Sequence, residues 1–220
     1  MVLSDKQILE EIQEGNVVID PFNEANLNTS SYDLRLGEFF YREQRPQRGR
    51  SDLFDIYNME DVRRVWGEPQ EAVTAGDWFA GGSLQRLDAG GLRSEDRVIF
   101  LRPGETILAH TQEFAGGRNI VTTSMQARSS MGRSFIEVCK CAGWGDVGYI
   151  NRWTMEITNN SRYETIPLVV GARVSQLVFM YTGDLLGKDY SASGAYQTTS
   201  NLEELKLSWK PEMMLPRLRR

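Results

Sequence analysis

Arg128, Ser129, Ser130, Arg133, Asp146 and Glu156 all fall within one stretch, Ala127 to Ser161, whose residue types suit a pocket for a polyanion and a polar base. Arg128-Ser129-Ser130 offers a guanidinium, two hydroxyls and backbone N–H groups, and Arg133 adds a second cation just downstream. Such a set suits a phosphate chain, because arginine makes bidentate, charge-assisted bonds to phosphate and hydroxyls fill the remaining acceptor positions. A solvated turn uses the same residue types, so the run by itself leaves both readings open.

Asp146, between Gly145 and Val147-Gly148, stands in a turn where a carboxylate could accept from a sugar hydroxyl or orient a water. Glu156 lies in Trp153-Thr154-Met155-Glu156-Ile157, where strand alternation puts Trp153 and Met155 on one face and Thr154 and Glu156 on the other. If that second face lines a partly buried pocket, desolvation raises the Glu156 pKa toward the range useful for proton transfer. If it faces water, the segment is an ordinary strand with one wet side.

Composition narrows the field. The 220 residues are 40% hydrophobic and 25% charged, which allows a real core and favours one domain. A net charge of -5 argues against a nucleic-acid coat, which needs a basic face to neutralise phosphates. No apolar run approaches the ~20 residues of a membrane helix, and MVLSDKQILEE lacks a basic patch and apolar core, so a cytoplasmic location is expected. His110 is the one histidine, and no His-x-Glu or Pro-Cys-x-x-Cys is present to build a zinc deaminase site. A structural or surface role is expected for His110. Cys139 and Cys141 sit in a strand-like run, which would point both thiols the same way, and both are expected to be buried.

The elements that must position these residues read as mainly β. Ser4 and Gln7 form a capping box at the start of a short helix, with Leu3 and Ile8 as its hydrophobic staple. Strands are expected at Ser31 to Gly37, Val98 to Phe100, Thr106 to Ala109, Ile120 to Ser124, Phe135 to Cys141, Trp153 to Ile157, Ile166 to Val170 and Val174 to Met180. Short strands at this spacing describe a barrel or sandwich. Residues 42–97, with a short helix at Met59 to Trp66 and breaks at Ala80-Gly81-Gly82 and Ala89-Gly90-Gly91, read as an insertion or surface excursion. The polar segment from Gly183, residues 183–220, reads as a mobile C-terminal arm or lid.

Five motifs in order carry a resemblance over most of the chain. They are Leu3-Ser4-Asp5-Lys6, Ser31-Tyr32-Asp33-Leu34-Arg35-Leu36-Gly37, Ala127 to Arg133, Ala142-Gly143-Trp144-Gly145-Asp146-Val147-Gly148-Tyr149, and Val174-Ser175-Gln176-Leu177-Val178-Phe179. Together they resemble the dCTP deaminase branch of the dUTPase superfamily, closest in motif form to the bifunctional dCTP deaminase-dUTPases. The resemblance implies a dUTPase-like β-barrel or β-clip assembled as a homotrimer, with active sites between subunits and Mg2+ escorting the triphosphate. It implies conversion of dCTP to dUMP, with dUTPase activity or deamination of a modified deoxycytidine nucleotide as alternatives, and a non-catalytic nucleotide-binding regulator as an alternative of another class. By residue, it implies that Arg128, Ser129 and Ser130 contact phosphates and that Ser129 and Arg133 reach the reacting site. Asp146 would hold the sugar and orient the water for phosphate cleavage, and Glu156 would be the proton shuttle. Tyr190 and Gln197 would belong to the substrate-binding lid, and Gln176 would be structural. The chain departs from the family pattern at Gly145, where an isoleucine is usual, at Asn151-Arg152, and at Ser193-Gly194-Ala195, which lacks the usual cation before Tyr-Gln.

Overall fold

The fold is seen in a computed structural model that describes residues 1–46, 52–80, 91–187, 190, 194–197 and 199–218. Helix α1 (Asp5–Gln13) begins with the expected capping box: the Gln7 N–H donates to Ser4 Oγ at 3.3 Å, and the Ser4 N–H donates to Gln7 Oε1 at 3.0 Å. Leu3 and Ile8 are fully buried beneath it.

Strands β1 (Val17–Asp20), β2 (Leu27–Asn28) and β3 (Ser31–Arg42) precede helix α2 (Met59–Trp66). Next come β4 (Gln70–Glu71), β5 (Val73–Thr74), helix α3 (Ala75–Ala80), β6 (Arg97–Leu101), β7 (Thr106–Gly117) and β8 (Val121–Ala127). Helix α4 (Ser129–Arg133) leads to β9 (Ile136–Glu137), β10 (Trp144–Gly145), β11 (Ile150–Asn159), β12 (Ile166–Val169), β13 (Arg173–Tyr181) and helix α5 (Leu202–Ser208). Among the described residues the main sheet runs β10-β8-β13-β3-β7-β11-β9, and β12-β6-β5 forms a smaller one. Every described pairing is antiparallel, and the mainly β class expected from the sequence is what the chain adopts.

Two irregularities in β7 shape the face that will carry the site. Leu36 pairs with Thr111 and Phe40 with Ala109, so β3 holds extra residues opposite His110. The His110 ring fills that bulge: Nε2 accepts the Phe39 N–H at 3.2 Å, while Nδ1–H donates to the Thr111 carbonyl at 2.8 Å. The ring lies where a side chain on Gly37 would sit, so only glycine fits there. On the other edge Arg152 pairs with Phe114 but Thr154 with His110, and Thr111 Oγ1 bridges the gap by accepting the Trp153 N–H at 2.9 Å.

His110 is 1% exposed, and burial pushes its pKa down to about 4, with the hydrogen bond to Thr111 opposing and the charge of Arg152 assisting. The unfolded chain therefore takes up this proton first as pH falls. The stability contributed by neutral His110 is complete above pH 6.5 and lost progressively toward pH 4. Between pH 7 and pH 5 we expect a loss of about 2 kcal/mol, measured as a lower urea midpoint. His110→Gln should start less stable at pH 7 and lack this acid step.

Several expectations need correction. Only Ile136 and Glu137 of the Phe135 to Cys141 run form a strand, because Phe135, Cys139, Lys140 and Cys141 all have positive φ. The two thiols thus sit in a turn: Cys139 is buried, and Cys141 is exposed. Burial, with the charge of Glu156 adding, pushes the Cys139 thiol up to about 12. The excursion also contributes to a core: Phe54, Met59, Val62 and Trp66 pack with Tyr41, Leu108, Met214 and Leu215. The Gly81-Gly82 and Ala89-Gly90 breaks lie outside the described residues.

The C-terminal segment, read as a mobile arm, is exposed over residues 183–187 but docked at Gln197 and Leu205. Gln197 is 3% exposed, and Leu205 packs with Phe114 and Ile150. Among the described residues no helix is long and apolar enough to cross a membrane.

Candidate active site

The turn that carries Asp146 follows from its glycines. The Tyr149 N–H donates to the Asp146 carbonyl at 3.0 Å, and Gly148 takes φ 92°, as the third residue of a type II turn requires. Gly145 has no room for a side chain, because Thr123 Oγ1 and the Trp153 ring occupy the space. The Trp153 ring is fixed there, its Nε1–H donating to the Ala115 carbonyl at 2.9 Å. The Gly145 carbonyl is held by the Thr122 hydroxyl at 2.8 Å. Asp146 itself remains exposed.

Strand β11 delivers Glu156 as alternation predicted. Trp153 and Met155 are buried in the core, whereas Arg152, Thr154 and Glu156 face a cavity of about 480 Å³. Asp146 and Tyr190 line the same cavity, with Trp144, Tyr149 and Trp153 contributing aromatic wall. Glu156 is half-buried, its Oε2 lacks a hydrogen-bond partner, and burial raises its pKa above the ordinary glutamate value. A hydrogen bond from its own backbone and the charge of Lys140 pull the other way, less strongly. A carboxyl raised in this way is a stronger proton acceptor than a free glutamate and can hand the proton on.

The tail reaches this cavity through specific bonds. Gln197 Oε1 accepts the Ile150 N–H at 2.7 Å, and its Nε2 donates to the Gly148 carbonyl at 2.9 Å. Both ends of that amide are thus engaged by backbone, and Gln197 is not among the cavity's lining residues. It holds Tyr190 and Tyr196 against the Asp146 turn: the Tyr190 N–H donates to the Val147 carbonyl at 2.9 Å, and Asn151 Nδ2 donates to the Tyr196 carbonyl at 2.9 Å. Burial raises the Tyr190 pKa, so its hydroxyl is neutral at pH 7.

Arg128, Ser129, Ser130 and Arg133 are placed elsewhere. Arg128 caps α4, with Nε 3.5 Å from Oδ2 of the fully buried Asp33, which also lies 3.3 Å from Arg173 Nη1. Ser129, Ser130 and Arg133 are exposed, and none of the four lines the cavity of Glu156. Their neighbours Ala127 and Gly132 line an open groove beside it, and Trp144 borders both.

Sequence reasoning missed Trp66, Trp209, Met213 and Met214, which wall the cavity from α2 and the tail. Arg152 lines the cavity as well. Its place on the face of Glu156 was available from strand alternation.

The chain is a mainly β protein whose fold has a solved counterpart. The crystal structure of 2'-deoxycytidine 5'-triphosphate deaminase from Agrobacterium tumefaciens shares this fold, with a TM-score of 0.55 over 85% of this chain at 18% identity. The match spans 50% of that solved chain. The chain belongs to the dCTP deaminase-like family, whose model matches residues 2–182. It is 33% identical over 183 residues to a "dCTP deaminase, dUMP-forming" of Hydrogenobaculum sp. (strain Y04AAS1), covering 81% of each chain. It is 30% identical over 179 residues to the protein of that name from Methanobrevibacter smithii, covering 81% of this chain and 79% of the relative. Tyr190, Tyr196, Trp209, Met213 and Met214 lie beyond the family match.

Proposed function

We propose that this chain deaminates dCTP hydrolytically and cleaves the triphosphate, yielding dUMP, ammonia and pyrophosphate. The observation that carries this reading is the half-buried Glu156, with its unpartnered oxygen and raised pKa, in one cavity with Asp146. Membership of the dCTP deaminase-like family and the dUMP-forming relatives support the same reaction.

Glu156 takes a proton from the water that attacks C4 and passes it to N3. A second proton, from the new hydroxyl, goes to the exocyclic amine, which leaves as ammonia when the C4–N4 bond breaks and the C4 carbonyl forms. Proton transfers of this kind contribute typically 10²–10⁴ each in rate. Asp146 accepts from the sugar hydroxyl and orients the water that displaces pyrophosphate at the α-phosphorus. Tyr190 borders the same end of the cavity. Arg128, Ser129 and Ser130 hold phosphates, and Ser129 and Arg133 steady the attacking water and the charge that develops.

Because those last four residues lie away from the cavity, they serve a neighbouring copy in a homotrimer. Phe135 and Trp144, 60% and 61% exposed beside the groove, provide apolar surface for that contact. Among the described residues no three His, Cys, Asp or Glu side chains gather as a metal cage. A lone carboxylate such as Asp146 fits Mg2+ that arrives on the triphosphate and keeps phosphate and water oxygens as most of its ligands. Bound there, the ion would neutralise phosphate charge. A cytoplasmic location accords with such a substrate.

Incubation with dCTP and Mg2+, with ammonia and pyrophosphate assayed separately, tests the reaction. Both products support the proposal, ammonia alone removes the phosphate cleavage, and neither product with tight binding favours a regulator. The shared site has its own test. Glu156→Gln and Arg133→Ala chains should each be inactive, but their mixture after subunit exchange should recover about a quarter of wild-type activity, since half the sites keep each native residue. Activity of the mixture no greater than either variant alone would place the whole site in one subunit.

A further inference from the structure

The Asp146 carboxylate is exposed and, among the described residues, makes no hydrogen bond, so the backbone of its turn decides where it stands. The Thr122 hydroxyl and the positive φ of Gly148 give that turn its shape. Three backbone groups just past Asp146 are then taken up by the C-terminal segment. The Tyr190 N–H donates to the Val147 carbonyl, and Gln197 engages both the Gly148 carbonyl and the Ile150 N–H.

Gln197 is the stronger of the two anchors. Its amide is 3% exposed and straddles Tyr149, accepting from Ile150 at 2.7 Å and donating to Gly148 at 2.9 Å. A neighbouring strand would make the same pair of bonds at this edge of β11, which β9 covers only at Thr158 and Asn159. Removing the amide therefore leaves a buried N–H and a buried carbonyl unpaired, which a folded backbone avoids by moving. Tyr149 lies edge-on to Trp153 at 5.1 Å and to Tyr190 at 5.2 Å, and all three line the cavity. Gln197 itself does not line it, and it lies beyond the residues 2–182 of the family match.

We propose that Gln197 is a positioning residue for cleavage of the triphosphate, holding the Asp146 turn at the distance from which its carboxylate orients the water. The inference rests on the proposed role of Asp146 and deepens it, since it reassigns Gln197 from touching the nucleotide to acting through that carboxylate. Deamination is spared. Glu156 stands farther along β11, where the strand is held by pairing with β7 at Leu108 rather than by the tail.

The test uses the full chain as wild type, Gln197→Met and Gln197→Ala, each also combined with Asp146→Asn. Pyrophosphate release from dUTP and ammonia release from dCTP, both with Mg2+, give kcat and KM for the two reactions. Each Gln197 variant should lower kcat for pyrophosphate release about 10–100-fold, because a misplacement of about 1 Å can cost a factor of that size. Ammonia release and both KM values should stay within about threefold, and dUTP should accumulate from dCTP. In the Asp146→Asn background the same substitutions should cost no more than about twofold further, since a residue that acts through Asp146 has nothing left to position.

Equal loss of both activities would make Gln197 a general support of the tail. A full cleavage penalty that persists without the Asp146 carboxylate would place its action elsewhere, and unchanged pyrophosphate release would deny it any role; each of these results overturns the proposal. Ammonia release reports that a variant is folded, and Gln197→Ala carries the test should Gln197→Met misfold. A wild-type chain that releases no pyrophosphate removes the cleavage step of the proposed function and this inference with it, whereas an active wild type with unaffected variants removes this inference alone.

Discussion

Glu156→Gln should leave the chain folded and able to bind dCTP, yet lower ammonia release by roughly 10³ or more, the scale of losing a group that moves several protons in one turnover. The substitution keeps the shape of the side chain and removes its ability to take a proton. Burial is what fits the native carboxyl for the task, because desolvation outweighs the opposing hydrogen bond and the distant Lys140. The sign of the shift also sets the pH profile. Below its pKa Glu156 is already protonated and accepts nothing from water, so deamination should fall with acidity, and its acid limb should lie above that of an ordinary glutamate. A stopped ammonia assay across pH reads both effects. Undiminished turnover in the variant would remove Glu156 from the mechanism.

Asp146→Asn should separate the two reactions. Pyrophosphate release is expected to fall by roughly 10²–10³, while ammonia release changes by less than about tenfold, since the amide still accepts from a sugar hydroxyl but no longer activates water. Product analysis by anion exchange would show dUTP accumulating in place of dUMP. Persistence of dUMP formation at the full rate would assign the water to another group. The turn itself should survive, because it is held by the Tyr149 N–H, by Gly148 and by the hydroxyl of Thr122 on the Gly145 carbonyl rather than by the Asp146 side chain.

These two carboxylates owe their different settings to the elements beneath them. Asp146 rides an exposed turn, whereas Glu156 projects from a strand whose opposite face is the core. The irregularity in the β7–β11 pairing, where Arg152 pairs with Phe114 and Thr154 with His110, adjoins Arg152, whose guanidinium lies over the ring of Trp209. Bulges of this kind commonly re-aim side chains near active sites. The neutral, buried His110 is accordingly part of the frame, and its protonation would destabilise the sheet rather than act in the chemistry.

What the sequence determined by itself was local. Alternation placed Glu156 opposite Trp153 and Met155, the capping box started α1, and turn residues around Asp146 marked an exposed loop, because each depends on neighbours a few residues away. The run Phe135 to Cys141 showed the limit of that method: its apolar alternation looks like a strand, but four positive φ values fold it into a turn and separate the two thiols. Tertiary structure alone decided that the tail is docked, since Gln197 meets its partners at Gly148 and Ile150 across the chain. It alone brought Trp66 and Trp209 to the cavity of Glu156 and left Arg128 to Arg133 outside it. The physical reason is range: periodicity and capping are written in adjacent residues, whereas a cavity is the space left between faces whose packing depends on the whole chain.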